Sequence, residues 1–179
     1  MLQLKVLECE LYDEVKGEFR YVKEQTLQLE HSLVSLSKWE SKWHKPFMSK
    51  KEMSTNETID YIKCMTITQN VNPDIYRGLT SDNILEVKKY IDDSMTATTF
   101  SNQTKTSSTE IVTSEIIYYW MVSLNIPFEC QKWHLNRLFA LINVCGLKNA
   151  PKKKMSRNEI LSSNSSLNEA RRRAMNTKG

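Results

Sequence analysis

Apolar and polar side chains alternate over residues 2–6, where every second residue is apolar. This period of two is typical of a strand with one buried face. A second extended run covers 18–22 and follows a turn that Gly17 can supply, so these two runs are predicted to form an N-terminal β-hairpin. The run 26–30 also alternates and is expected to lead into the first helix.

From His31 onward the apolar residues recur at spacings of three and four, which is the period of a helix with one buried face. Start signals for successive helices stand near His31, at the Ser54 capping box, at Asn72-Pro73, at Thr80 or Ser81, near Glu110 and at Phe128. We expect Pro46 to end the first helix and Gly146 to end the last of these. The Ser- and Thr-rich stretch 94–109 predicts a loop, and 156–176 has modest helical propensity.

Helical periods cover far more of the chain than alternating ones, so the sequence predicts a mainly α fold. Glycine and proline are scarce, with four of each among 179 residues, and this also favours helices. We expect three parts: a small β-hairpin over 1–28, a helical body over 29–147 and a basic C-terminal tail over 148–179. The tail contains too few apolar residues to form a core of its own.

Positive charge is concentrated in the tail. Residues 148–179 contain nine Lys or Arg and two Glu, a net charge of +7, whereas the preceding part contains 16 basic and 19 acidic side chains. An acidic body with a basic arm indicates that the arm binds a charged partner. The candidate contacts are Lys152, Lys153, Lys154, Arg171, Arg172 and Arg173. The arm could dock on an acidic protein surface, hold DNA phosphates in a salt-sensitive way, or serve only as a solubilising tail.

Two aromatic groups are further candidates for a binding surface. Trp39 and Trp43 stand four residues apart, on one face of a predicted helix, and Trp133 lies near the last helix pair of the body. Such rings pack either in a core or in a protein interface, where tryptophan is enriched. Lysines flank the first pair, which leaves a stacking platform for nucleic acid as a less favoured alternative.

No catalytic or metal-binding pattern is visible in the sequence. The three histidines are not spaced with Cys, Asp or Glu as metal ligands, and the motifs HExxH, CxxC and GxSxG are absent. The glycines are too few and too scattered for a phosphate-binding loop. We therefore expect a protein without enzymatic activity, metal ion or cofactor.

The four cysteines lie among apolar neighbours and are expected to be free thiols, which favours a reducing cytoplasm. No signal peptide is visible, and no apolar run approaches the roughly 20 residues of a membrane-spanning helix. We therefore expect no membrane partner.

Four stretches of the sequence carry a resemblance to a known group of proteins. They are LEHSLVSLSKWESKW at 29–43, TIDYIKCM at 58–65, IPFECQKWHLNR at 126–137 and NSSLNEARRR at 164–173. Across nearly the whole chain, the sequence resembles small proteins encoded by tailed bacteriophages of Gram-positive hosts. Within that group it is most similar to tail assembly chaperones.

The resemblance implies a mostly helical protein that acts in the host cytoplasm and has no catalytic residues. Chaperones of this kind coat the tape-measure protein before the tail tube polymerises, and a C-terminal extension recruits tube subunits. The expected partners are therefore the tape-measure and tail-tube proteins.

A second function stays open beside the chaperone. The protein could be a structural component of the virion, such as a head–tail joining or minor tail protein, whose termini interlock with neighbouring subunits or contact packaged DNA. Self-association is compatible with both functions, and DNA is the less favoured partner.

Overall fold

The computed structural model describes residues 1–13, 17–49, 53–100, 111–150 and 156–176. Within them the protein is mainly α, as the periodicity predicts. The strands are β1 (Leu2–Val6), β2 (Cys9–Asp13), β3 (Glu18–Val22) and β4 (Gln25–Leu29). The helices are α1 (Leu33–Trp43), α2 (Thr55–Met65), α3 (Ser81–Asp92), α4 (Ser114–Ser123), α5 (Leu135–Asn149) and α6 (Arg157–Met175), with 3-10 turns at Pro73–Gly78 and Phe128–Lys132.

The N-terminal hairpin is confirmed, but the predicted pairing of its strands is wrong. Strand β1 pairs antiparallel with β4, with Leu2 opposite Leu29, and β2 pairs with β3, with Cys9 opposite Val22. The pairing differs because β2, which the alternation did not single out, stands between β1 and the turn. The four strands therefore form one long ribbon of two successive pairs, and the run expected to lead into α1 is the partner of β1.

One face of the ribbon belongs to the core. Leu4, Val6, Leu27 and Leu29 have no exposed surface, while the residues between them point to solvent. Helix α3 packs against β1, and Thr66 at the end of α2 forms an antiparallel bridge with Leu29. The ribbon is thus packed into the same body as the first helices.

Local signals define both ends of α1. The Ser32 Oγ accepts a hydrogen bond from the Ser35 N–H at 3.3 Å, which caps the first turn. The helix ends at His44, whose φ of 53° lies in the left-handed region. Pro46 follows two residues later, where the sequence predicts the end of this helix.

The start signals of the next helices are confirmed. At α2, the Ser54 hydroxyl accepts from the Glu57 N–H, and the Glu57 carboxylate accepts from the Ser54 N–H. Thr80 and Asn83 form the same reciprocal pair at α3. Asn72 caps the 3-10 turn that follows it.

Helix α4 receives its cap from another helix. Thr113, at the N-cap position, makes no side-chain capping bond. Instead, Glu40 of α1 accepts the Ser114 N–H through Oε2 at 2.8 Å and the Phe47 N–H through Oε1 at 2.8 Å. A carboxylate at a helix N-terminus is stabilised by the unpaired N–H groups and the helix dipole. Glu40 therefore fastens α1 to the start of α4 and to the loop after α1.

Buried apolar side chains form two clusters that share α1. The first joins the ribbon to α1, α2 and α3 and contains, among others, Leu4, Leu27, Trp39, Ile62, Ile75 and Val87. The second joins α1 to α4 and α5 and contains, among others, Leu33, Leu36, Ile117, Met121, Leu135 and Leu138. Helix α1 therefore links the packing of the two halves.

The prediction of one helix from Phe128 to Cys145 is wrong at both ends. Phe128–Lys132 is a 3-10 turn, and α5 begins only at Leu135. Helix α5 continues through Gly146, because a helical glycine costs only about 1 kcal/mol and the next proline is Pro151.

The chain divides into two compact units, Met1–Gly146 and Leu147–Gly179. The second unit contains the 19-residue helix α6. Its first turn carries a capping box of Ser156 and Glu159, and it ends at Asn176 in a left-handed conformation. These capping residues explain why a segment of modest propensity is helical.

Candidate partner-binding surfaces

The tryptophan pair of α1 lies mostly inside the body. Trp39 is only 2% exposed, and its Nε1–H donates to the Glu57 carbonyl at 2.9 Å. Trp43 is half-buried and stacks on Trp39 with ring centroids 6.2 Å apart. Because α2 covers the ring of Trp39, the structure assigns this residue to the core, in place of the expected partner contact. Only Trp43 presents an exposed edge.

A groove of about 330 Å³ runs beside this pair. Its walls include the apolar side chains of Trp39, Phe47, Met53 and Ile111 and the ion pair of Lys45 with Glu57. The Lys45 Nζ lies 2.6 Å from Glu57 Oε1, and this bond, together with those from Ser54, lowers the pKa of Glu57 to about 2. Glu57 is thus held ionised as a structural carboxylate between a lysine and a helix cap.

Trp133 keeps part of its ring at the surface. The residue is half-buried against the second cluster, and the Arg137 guanidinium lies 4.2 Å from its ring centroid. Thr96, Leu141 and Val144 border the same shallow depression of about 270 Å³. A tryptophan stacked with an exposed arginine is a combination that protein interfaces use. Trp133 therefore remains a candidate contact.

The basic candidates of the tail fall in two groups. Lys152, Lys153 and Lys154 lie outside the described residues. Arg171, Arg172 and Arg173 lie near the C-terminal end of α6, where the Arg173 side chain is 85% exposed and 3.8 Å from Glu169. Such an exposed pair contributes little to stability, so the arginines are available to a partner.

Helix α6 also exposes apolar side chains. Every residue of the helix is exposed, including Ile160, Leu161, Leu167 and Met175. Ile160, Leu167 and Ala174 follow one another at seven-residue intervals, which places them on one side of the helix. A helix with an uncovered apolar side is the form that binds in the groove of a partner.

Sequence reasoning missed one exposed surface, the outer face of the β2–β3 pair. Tyr12, Phe19 and Tyr21 lie there with their rings half exposed or more, and we call these three the aromatic hairpin face. The rings of Tyr12 and Phe19 are cross-strand partners with centroids 5.1 Å apart. The signal was present, because the alternation that buries Val22 places Phe19 and Tyr21 on the opposite side.

A buried histidine pair lies where the two clusters meet. The rings of His31 and His134 are 5.1 Å apart, and His31 Nδ1 is 2.5 Å from the Tyr61 hydroxyl. The His134 Nε2–H donates to the Tyr90 carbonyl at 3.0 Å, while its Nδ1 accepts from the Asn136 N–H at 3.3 Å. His134 is therefore satisfied as a neutral ring, since a second proton on Nδ1 would face another donor.

Burial governs the acid–base behaviour of this pair. Burial, with the neighbouring His134 as a further cause, lowers the pKa of His31 to about 3. Burial also lowers the pKa of His134. A backbone hydrogen bond also joins the chain before α1 to the start of α5, since the Leu135 N–H donates to the His31 carbonyl at 2.7 Å. The histidines thus act as neutral packing groups between the start of α1 and the start of α5.

Comparison of the chain with protein-family models, curated proteins and solved structures finds no match. Among the described residues, no group of three or more His, Cys, Asp and Glu side chains could hold a metal ion. None of the described helices combines the length and apolarity that crossing a bilayer requires. Among the described residues, α6, the aromatic hairpin face and the surroundings of Trp133 present exposed side chains that could contact another molecule.

Proposed function

We propose that the protein is a non-enzymatic assembly chaperone of a bacteriophage tail, which binds tape-measure and tail-tube proteins through helix α6. The observation that carries the proposal is the exposure of every residue of this helix, apolar residues included. Most of the stability of a helix in a protein comes from packing of its apolar side, so burying the apolar side of α6 in a partner would stabilise it.

The apolar residues of α6 provide the driving force for binding. Burial of a leucine- or isoleucine-sized side chain contributes about 1.5–3 kcal/mol relative to leaving it exposed. Ile160 and Leu167 lie one above the other on the same side of the helix, so a single groove can receive both. The partner is accordingly a protein with an apolar groove.

The arginines of α6 add the requirement for an acidic partner surface. Arg171, Arg172 and Arg173 place three guanidinium groups near the C-terminal end of the helix, each able to bind a carboxylate in a bidentate manner. DNA phosphates would satisfy the arginines but leave Ile160 and Leu167 in water. The combination of charge and apolar side chains therefore favours a protein over DNA.

The alternative function, a structural component of the virion, draws support from the aromatic hairpin face. A subunit that stays in the particle contacts more than one neighbour, and the chain has exposed candidate surfaces at both its hairpin and its C-terminal helix. Mass spectrometry of purified particles separates the two functions, because a chaperone is absent from the mature particle and a component is retained.

Co-expression with candidate partners tests the chaperone proposal. The tagged protein is produced together with the tape-measure or the tail-tube protein of the same phage and recovered on affinity resin. We expect recovery of the partner to fall about tenfold, equivalent to about 1.4 kcal/mol, in Arg171→Gln/Arg172→Gln/Arg173→Gln and again in Ile160→Ser/Leu167→Ser. The matched control Lys88→Gln/Lys89→Gln/Lys132→Gln removes three exposed charges from the body and should bind normally.

Equal recovery with all variants would contradict the role of α6. A gel shift on duplex DNA covers the rival partner. Tight DNA binding that falls steeply with salt, without recovery of either tail protein, would overturn the chaperone proposal.

A further inference from the structure

The aromatic hairpin face is held in a fixed position by the opposite side of the ribbon. On that side, β2 and β3 pack against the 3-10 turn Pro73–Gly78. The contact is close, because a Cβ added to Gly78 would lie 2.6 Å from Cys9 Sγ. Arg20 of β3 forms ion pairs there with Asp13 and with Asp74, the latter at 3.6 Å. Packing of β2 and β3 against the 3-10 turn therefore fixes the position of the aromatic hairpin face.

The outer face combines aromatic rings with negative charge. Phe19 is 71% exposed, and Tyr12 and Tyr21 are 50% and 56% exposed. The Tyr21 hydroxyl donates to the Glu8 carboxylate, and Glu10 is the cross-strand partner of Tyr21. Both glutamates are exposed, whereas Arg20 is directed to the opposite side of the ribbon. Exposed aromatic rings beside carboxylates suit a ligand that has guanidinium groups and apolar side chains.

Helix α6 has that chemistry. It presents Arg171, Arg172 and Arg173 with Met175 beside them, all of them exposed. Arginine stacks on the faces of tyrosine and phenylalanine rings and pairs with carboxylates, so both features of the hairpin face would be used. The charges of the two surfaces are opposite, which favours their association.

We propose that the aromatic hairpin face binds the arginine-rich end of α6 from a second copy of this chain. The contact joins two different surfaces and is therefore heterologous, so a pair of copies keeps one free hairpin face and one free helix. Repetition of the contact produces head-to-tail oligomers. This self-association goes beyond the proposed function and does not depend on which phage protein is bound.

Sedimentation velocity on the purified full-length chain tests the contact. We expect oligomers that grow with protein concentration and that weaken about tenfold between low and high salt, because charged groups at the contact are screened. Glu8→Lys/Glu10→Lys/Phe19→Ser should be monomeric, and so should Arg171→Glu/Arg172→Glu/Arg173→Glu. The control Gln3→Ser/Gln28→Ser changes exposed residues on the other pair of the same ribbon and should still associate.

Mixing the two monomeric variants is the decisive step. One variant retains an intact helix and the other an intact hairpin face, so the mixture should form a heterodimer with a single native contact. A symmetric contact between two hairpins would give no heterodimer, and that result overturns the proposal. A full-length chain that stays monomeric at all concentrations overturns it as well. Circular dichroism of each variant confirms that it is folded.

Loss of self-association and loss of tail-protein binding are distinguishable. The hairpin variant has an intact α6 and should still recover the tail-tube or tape-measure protein. The α6 variant should lose both activities. If the hairpin variant oligomerises like the unmodified chain, the inference fails while the proposed function is untouched.

Discussion

Replacement of Glu40 tests how the two halves of the body are joined. Its carboxylate is buried, with 8% of the residue exposed, and accepts two backbone N–H groups at 2.8 Å. A hydrogen bond to a charged group contributes about 1.5–3 kcal/mol, so the loss of two in Glu40→Ala should lower the free energy of unfolding by about 3–6 kcal/mol. Glu40→Gln keeps one acceptor oxygen but turns an amide NH₂ toward the second N–H. We expect it to cost about half as much.

Urea unfolding of the purified variants, followed by circular dichroism, measures both values. The matched control is Glu86→Gln, which removes the same charge from an exposed position on α3 and should change stability by less than about 0.5 kcal/mol. If Glu40→Gln unfolds at the same urea concentration as the control, the capping of α4 by Glu40 contributes nothing to stability, contrary to this prediction.

Three further predictions concern the core, the tail and acid. Trp39→Ala should destabilise the protein by about 3–5 kcal/mol and Trp133→Ala by clearly less, since only the Trp39 ring is fully covered. Urea midpoints measure both losses, and equal losses would contradict the assignment of Trp39 to the core. Truncation after Ala150 should leave the thermal melting temperature nearly unchanged, because the residues of both buried clusters come before Ala150 in the sequence. An unfolded truncated protein would show that the tail contributes to the core. Lowering the pH from 7 to 5 should reduce the free energy of unfolding. In the folded chain the pKa of His31 is about 3 and that of His134 is lowered, so below about pH 6.5 the unfolded chain binds protons that the folded chain does not. Each histidine contributes at most about 1.4 kcal/mol per pH unit, and a urea midpoint equal at pH 7 and pH 5 would contradict a neutral histidine pair.

The starts of α2 and α3 and the end of α1 were predictable because their signals are local. The capping boxes at Ser54 and Thr80 and the proline at position 46 act within a few residues of the helix ends, so the sequence alone locates them. Strand pairing was not predictable in the same way. Joining Leu2 to Leu29 depends on which of several alternating runs meet across a turn, and alternation alone does not select a partner.

For the candidate surfaces, too, local features were predictable from the sequence and contacts between distant segments were not. Periodicity places Trp39 and Trp43 on one side of α1, but the covering of Trp39 depends on α2, which lies elsewhere in the sequence. The role of Glu40 is equally non-local, because its partner Ser114 is 74 residues away. The arginines of α6 were proposed as partner contacts from charge alone, and their role in binding stays a prediction.

Binding of the partner through α6 can be measured directly. The most direct measurement compares the full-length chain with the chain truncated after Ala150 for binding to the purified tail-tube protein, by biolayer interferometry at constant salt, with melting curves of both forms. We expect that the full-length chain binds and that the truncated chain, still folded, does not. Equal binding by the two forms would contradict it.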